Sequence, residues 1–221
     1  MLVPETWGDS NHNFYQYEYF FNFDDKVYYA KANLDLTKQL LNEWNTIRKT
    51  NSPELSDLSI LAGDLKEEYF YHKGMSINIE YITGFISNHL ENIIGKKIQK
   101  ISFIDPDNKY DLWVNYQSKN EHNPIHQHAG LYSFVWYLII PDEIREEHET
   151  QKSYAPTRGL IEFSSSRSNL NMRFNPKTAD AFIFDSKHNH QVYPFYSDNT
   201  RVSMAGNIHS ITFEDGETIT A

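Results

Sequence analysis

The feature that most limits what this chain can fold into lies after residue 100. There, short apolar runs follow one another with turn residues between them. Residues 98–104, 110–117, 132–140, 159–163, 170–174, 181–184, 191–196, 201–208 and 209–213 each have the length and the aromatic or β-branched content of a strand. Pro, Asn, Asp and Gly separate them. Most of the gaps are too short for a crossover helix, so repeated βαβ units are disfavoured and a sandwich or jelly roll is expected. Only residues 143–154, EIREEHETQKSY, break the rhythm, and their charge reads as a solvated loop or a short helix.

The first half has a different texture. Phe14, Tyr15, Tyr17, Tyr19, Phe20, Phe21, Phe23, Val27, Tyr28 and Tyr29, interrupted by Asn22 and the Asp24–Asp25 pair, predict short strands or a hairpin over 14–30. Leu36, Leu40, Leu41, Trp44 and Ile47 recur at helical spacing behind Asp35 as a cap, and Asn51, Ser52 and Pro53 end the pattern. Residues 54–73 are ambiguous. From 76 to 97, Ile79, Ile82, Phe85, Ile86, Leu90, Ile93 and Ile94 predict a second helix, stopped at Gly95 among lysines. An amphipathic helix of this kind needs a surface to cover. Residues 1–97 are therefore expected as an N-terminal strand and helix portion packed on a core of residues 98–221, as one compact unit.

Several function classes drop out. With no cysteine among 221 residues, the chain has no disulfide, thiolate zinc site, iron–sulfur cluster or cysteine nucleophile. The longest apolar run, 134–141, falls well short of the roughly 20 residues of a bilayer span, so no membrane partner is expected. The start, MLVPETWGDSNHNF, lacks the basic and apolar segments of a secretory signal, and a cytoplasmic setting is expected, that of the host cell if the chain is viral. A net charge of -10 disfavours nonspecific nucleic-acid binding, since Lys96, Lys97 and Lys100 are its densest basic cluster. A base flipped into a pocket stays open as a substrate.

Among ten histidines, His126 and His128 precede the apolar run YSFVWYL. On a strand, residues i and i+2 point to one face, so both rings can converge. His190 enters a later strand that a jelly roll can bring alongside, completing a three-nitrogen site for a metal such as iron, cobalt, nickel, copper or zinc. His188 and His122 offer rival geometries. On spacing alone, a histidine- and asparagine-rich surface loop is the more economical account of His-x-His.

The surroundings change that balance. Taken together, LWVNYQSKNEHNPIHQHAGLYSFVWYLIIP, NPKTADAFIFDSKHNHQVYPF and TRVSMAGNIH resemble the small 2-oxoglutarate- and Fe(II)-dependent oxygenases of bacteria and tailed phages, the prolyl-hydroxylase-like group. The resemblance covers about residues 103–213. It implies a mainly β protein with N-terminal helices, its core a double-stranded β-helix (jelly roll) braced by helices. His126, His128 and His190 match the metal ligands, with His128 standing where the wider superfamily has Asp or Glu. Arg201 matches the arginine that pairs with the distal carboxylate of 2-oxoglutarate, and Ser203 adds a hydroxyl. Asn115, Tyr132 and Tyr137 are further candidates at the cosubstrate, and Asn123 and Asn207 at the substrate. Trp113 and Trp136 read as core.

The activity so implied is hydroxylation of a C–H bond with Fe(II), 2-oxoglutarate and dioxygen, with no catalytic residue beyond the metal ligands. A peptide side chain is the first substrate class, a nucleobase the second and a small metabolite the third. The neutral ligand set leaves the metal's identity open. It also leaves two alternatives: a cupin-like three-histidine metalloenzyme not using 2-oxoglutarate, and a non-catalytic jelly-roll binding module. Against the cupin, Ala129, Gly130, Leu131 and Tyr132 follow where cupins carry a glutamate.

Overall fold

A computed structural model of the chain describes residues 16–21, 25–50, 63, 65–154, 156–165 and 171–221. In chain order the elements are β1 Gln16–Phe21, β2 Asp25–Lys31, α1 Leu34–Thr50, β3 Glu68–Phe70, α2 Ile79–Ile94, β4 Ile98–Ser102, β5 Leu112–Gln117, β6 Asn123–His126 and β7 Tyr132–Ile139. They continue with α3 Asp142–Thr150, β8 Ile161–Ser164, β9 Asn171–Phe174, β10 Asp180–Asp185, β11 Asn189–Val192, β12 Arg201–Ile208, β13 Ser210–Phe213 and β14 Thr218–Thr220. The result is a mixed α/β fold of antiparallel sheets with a few helices. A seven-stranded sheet runs β1-β2-β10-β7-β12-β5-β3, a four-stranded sheet β6-β11-β8-β9 and a three-stranded sheet β14-β13-β4.

Period-two alternation sorts the large sheet's side chains onto two faces. Leu112, Val114 and Tyr116 of β5, Phe134, Trp136 and Leu138 of β7, and Val202, Met204 and Ile208 of β12 join one core with Leu40 and Trp44 of α1 and Ile82, Phe85 and Ile86 of α2. Each fully buried side chain of this size contributes about 1.5–3 kcal/mol. The opposite face, through Tyr137, Phe182 and Phe184, meets Ile161 and Phe163 of the four-stranded sheet in a second core. The space between these two sheets is where the site lies.

Local chemistry fixes the helix ends. Asn33 rather than the expected Asp35 caps α1: its Oδ1 accepts from the backbone N–H of Asp35 at 2.9 Å and Leu36 at 3.1 Å, which leaves Asp35 in the first turn. Asn78 Oδ1 caps α2 through the Tyr81 N–H at 3.1 Å, and Gly95 ends it at φ 75°, left-handed backbone that favours glycine.

The expected hairpin is present as the β1–β2 pair, in register from Gln16↔Ala30 to Phe21↔Asp25. Phe14, Tyr15, the turn at Asn22 and Asp24, and the stop at Asn51–Pro53 lie outside the described residues. The ambiguous stretch 54–73 contains β3, and the polar segment 143–154 contains most of α3. Strands β6 and β14 were not anticipated. His190 and Arg201 do not share a hairpin: β11 belongs to the four-stranded sheet and β12 to the seven-stranded one, so residues 193–200 cross between sheets. Among the described residues, no helix is long and apolar enough to cross a membrane.

Candidate metal centre

His126 is the last residue of β6 and pairs in register with His190 of β11, so their side chains leave the sheet on one face. His128 does not share a strand with His126, contrary to the i, i+2 expectation. It sits in the loop after β6, where its backbone N–H donates to Ser186 O at 2.8 Å and Gly130, at φ 110°, turns the chain into β7. The three rings still converge, with centroids 4.2 Å apart for His126 and His190, 4.9 Å for His126 and His128, and 5.0 Å for His128 and His190. One ring nitrogen from each lies within 4.8 Å of the others, the one such cluster of three among the described residues.

Hydrogen bonds behind the rings orient two of them. His126 Nδ1 lies 2.7 Å from Pro124 O, and His190 Nδ1 lies 3.1 Å from His188 O. A carbonyl only accepts, so each Nδ1 carries the proton and each Nε2 offers a lone pair. His128 Nε2 is 3.2 Å from His190 Nε2. Burial pushes all three imidazoles toward the neutral form, His128 to about 3 with a further contribution from His126, and His190 well below its ordinary value. Neutral imidazoles whose Nε2 atoms face one another are what a borderline divalent metal requires, since the ion would take the place of the Nε2–Nε2 contact, so the residues present fit such an ion. With no carboxylate in the cluster, the donor set is more typical of a cupin-type site than of a two-histidine, one-carboxylate triad. Of the rivals, His188 stands edge-on to Phe163 and His122 is exposed; neither joins the cluster.

A cavity of ≈ 50 Å³ opens beside the histidines, room for roughly three to five waters. Trp113, Asn115 and Gln117 of β5, Ser203 of β12, Tyr137 of β7 and Asn123 of β6 all line it. Arg201 stands behind this lining, opposite Gln117 in register and 1% exposed. Its Nε donates to Gln117 Oε1 at 3.1 Å and its Nη1 to Gly159 O, and the rings of Tyr137 and Phe195 flank it at 5.6 Å each. Among the described residues, no carboxylate lies within ion-pair distance of this guanidinium. Burial lowers its pKa, yet arginine keeps its charge. Among the described residues the buried Tyr137 hydroxyl also has no hydrogen-bond partner, and burial pushes it up to about 12.

Two expected site residues are elsewhere. Tyr132 is half-buried and packs against the helix-side core. Asn207 does not line the cavity, because both ends of its amide are engaged: it accepts from Ser133 Oγ at 2.6 Å and donates to Asp111 Oδ2 at 2.8 Å. Three residues were missed. Trp113, expected in the core, lines the cavity and packs 5.5 Å from the His128 ring; Gln117 and Gly159 hold Arg201. Asn115, Gln117 and Trp113 share one parity on β5, a signal readable once Asn115 is placed at the cavity.

Comparison with known proteins gives an independent line. A protein-family profile described as "Putative 2OG-Fe(II) oxygenase" matches residues 111–207. No curated protein matches the sequence. Among solved structures, a Pseudomonas putida prolyl-4-hydroxylase is similar at a TM-score of 0.54 and 13% identity, over 90% of this chain and 92% of that one. A prolyl hydroxylase from Trichoplax adhaerens, in complex with a hypoxia inducible factor oxygen degradation domain peptide fragment, is similar at 0.50 and 12%, over 85% and 84%. At these identities the likeness is one of fold.

Proposed function

We propose, from the match to a 2-oxoglutarate/Fe(II) oxygenase profile and the shared fold, that the chain is a cupin-like three-histidine metalloenzyme on a jelly-roll core, with residues 1–97 and 98–221 forming one unit. His126, His128 and His190 hold the divalent metal. The observation that carries this reading is the convergence of three neutral ring nitrogens within 4.8 Å with no carboxylate among them. An iron ion held there supplies dioxygen activation, and the protein supplies orientation and dryness. Pro124 O and His188 O hold two rings with Nε2 inward, while Phe163 and Phe184, at 6.1 and 4.8 Å from the His190 ring, keep water from it.

A second reading, Fe(II)-dependent hydroxylation with 2-oxoglutarate, is favoured by one specific observation. Among the described residues, Arg201 is a buried cation without an anion, next to a Tyr137 hydroxyl that has no hydrogen-bond partner. Burying a lone charge is costly, and a carboxylate at the cavity's end answers both groups at once. In this reading Arg201 and Tyr137 receive the distal carboxylate of 2-oxoglutarate, with Ser203 and Asn115 along the wall and Asn123 nearer the substrate. With dioxygen, the cosubstrate would give succinate and CO₂, one oxygen atom entering succinate and the other the C–H bond of the substrate. The likeness to prolyl hydroxylases makes a peptide side chain the first substrate class to screen. A cytoplasmic setting suits a ferrous site.

Anaerobic titration of metal-free protein with Fe(II), then with 2-oxoglutarate, separates the readings. A visible charge-transfer band that appears with 2-oxoglutarate and is lost in Arg201→Ala supports the hydroxylase. Iron binding with a spectrum indifferent to 2-oxoglutarate supports the cupin-like enzyme. Failure to bind any metal contradicts both.

A further inference from the structure

Strand β3 carries a carboxyl that neither the metal ligands nor the cavity lining uses. Glu68 is 3% exposed, on a three-residue edge strand where a charged side chain ordinarily turns to water. Its neighbour Glu67 does find a cation, Arg48, at 2.5 Å. Register sets Glu68 opposite Asn115, and opposed residues of an antiparallel pair leave on the same face, so Glu68 stands on the cavity face of the sheet beside Asn115.

The contacts run inward from there. In the orientation that satisfies both neighbours, the Asn115 amide donates to Glu68 Oε1 at 3.0 Å and its oxygen accepts from Trp113 Nε1 at 3.2 Å. The Trp113 indole packs 5.5 Å from the His128 ring. His126 and His190 are each held by a carbonyl on Nδ1; among the described residues, His128 makes no such bond. The ligand on the loop is thus the one whose ring orientation rests on packing.

We propose that Glu68 is a positioning residue for the third metal ligand: through the Asn115 amide it fixes the Trp113 indole against which the His128 ring sits. The proposal rests on the reading of His128 as a ligand. Burial, with a contribution from Asp111, pushes the Glu68 carboxyl up to about 8, so at neutral pH it serves as an uncharged acceptor and leaves no unpaired charge behind the metal. Removing that acceptor leaves the Asn115 N–H groups unsatisfied, frees the amide to rotate and takes the acceptor from the indole.

The full-length chain tests this with Co(II) as the probe, in wild type, Glu68→Gln, Glu68→Leu, Trp113→Phe and His190→Ala. Glutamine keeps a carbonyl where Oε1 stood, so Glu68→Gln should bind Co(II) within about threefold of wild type, whereas Glu68→Leu should bind about 10–100-fold more weakly with a changed visible ligand-field spectrum. In metal-free protein, the Trp113 indole N–H resonance should move in Glu68→Leu and return in Glu68→Gln. Trp113→Phe keeps an aromatic face without the N–H and should weaken Co(II) comparably, which serves if Glu68→Leu does not fold. Wild-type affinity and spectrum in folded Glu68→Leu, or in Trp113→Phe, overturn the proposal alone. Absence of Co(II) binding in wild type, or full binding in His190→Ala, overturns the metal-centre reading and the proposal with it.

Discussion

The two faces of the seven-stranded sheet are made by the same strands and do opposite work. Toward the helices, Val114, Tyr116, Trp136, Val202 and Met204 pack with Trp44 and Phe85 into an apolar and aromatic layer. One residue along each strand, the other face carries half-buried Ser203 with Asn115, Gln117, Tyr137 and Arg201, polar groups buried nearly as deeply as that layer and including a cation with no anion among the described residues. Burial on the first face is stabilising in itself; on the second it is costly and makes chemical sense only around a ligand. A sheet can carry such a site because the helix-side core holds it together independently.

That division can be broken experimentally, beginning with the largest effect. Trp136→Ala empties the centre of the helix-side core and should cost about 3–5 kcal/mol in denaturant unfolding, while the folded remainder binds Co(II) within about twofold of wild type. A large loss of metal affinity would mean that the faces are not separable. A pH series tests the same face. Burial lowers His89 of α2 to about 4 from an unfolded value near 6.5. The unfolded chain therefore gains this proton first, and stability is lost as pH falls from about 6.5 through 4, by about 3 kcal/mol from this residue. Urea midpoints of His89→Leu should show a correspondingly shallower acid limb, and superimposable profiles would contradict the burial argument.

On the site face, His190→Ala should reduce divalent-metal affinity at least about 100-fold by calorimetry, since losing a ligand exceeds the 10–100-fold cost of losing a ligand's support. Smallest of all is the stability effect of Arg201→Met. Relief of an unpaired buried charge offsets the hydrogen bonds lost to Gln117 and Gly159, for a net change within about 1 kcal/mol. Destabilisation of several kcal/mol would make Arg201 a structural residue and remove the case for an anionic cosubstrate.

What the sequence disclosed follows the same split. Long strands such as β7 and β12 were legible as apolar runs bounded by turn residues, and α2 because its apolar periodicity coincides with the Gly95 stop. Strand β3 has three residues and β6 contains Pro124 at a sheet edge, so neither carries a pattern long enough to read. The histidines were found from spacing and resemblance, but their convergence through a strand end and a loop was not, since Gly130 redirects the chain after His128. Period two alone separates Tyr132 from Tyr137, which have opposite parity on β7 and cannot both face the cavity. Asn207 has the parity of Arg201 and Ser203, yet β12 runs past the end of the cavity before reaching it, a distance that parity does not encode.

The central claim is that three histidines, and no protein carboxylate, hold the metal. X-ray absorption at the cobalt edge of Co(II)-loaded wild type and of the His128→Ala variant tests it most directly. The account predicts one Co(II) per chain with three imidazole scatterers in wild type, falling to two or to no bound metal in the variant. A wild type that binds no Co(II), or an imidazole shell unchanged without His128, would contradict it.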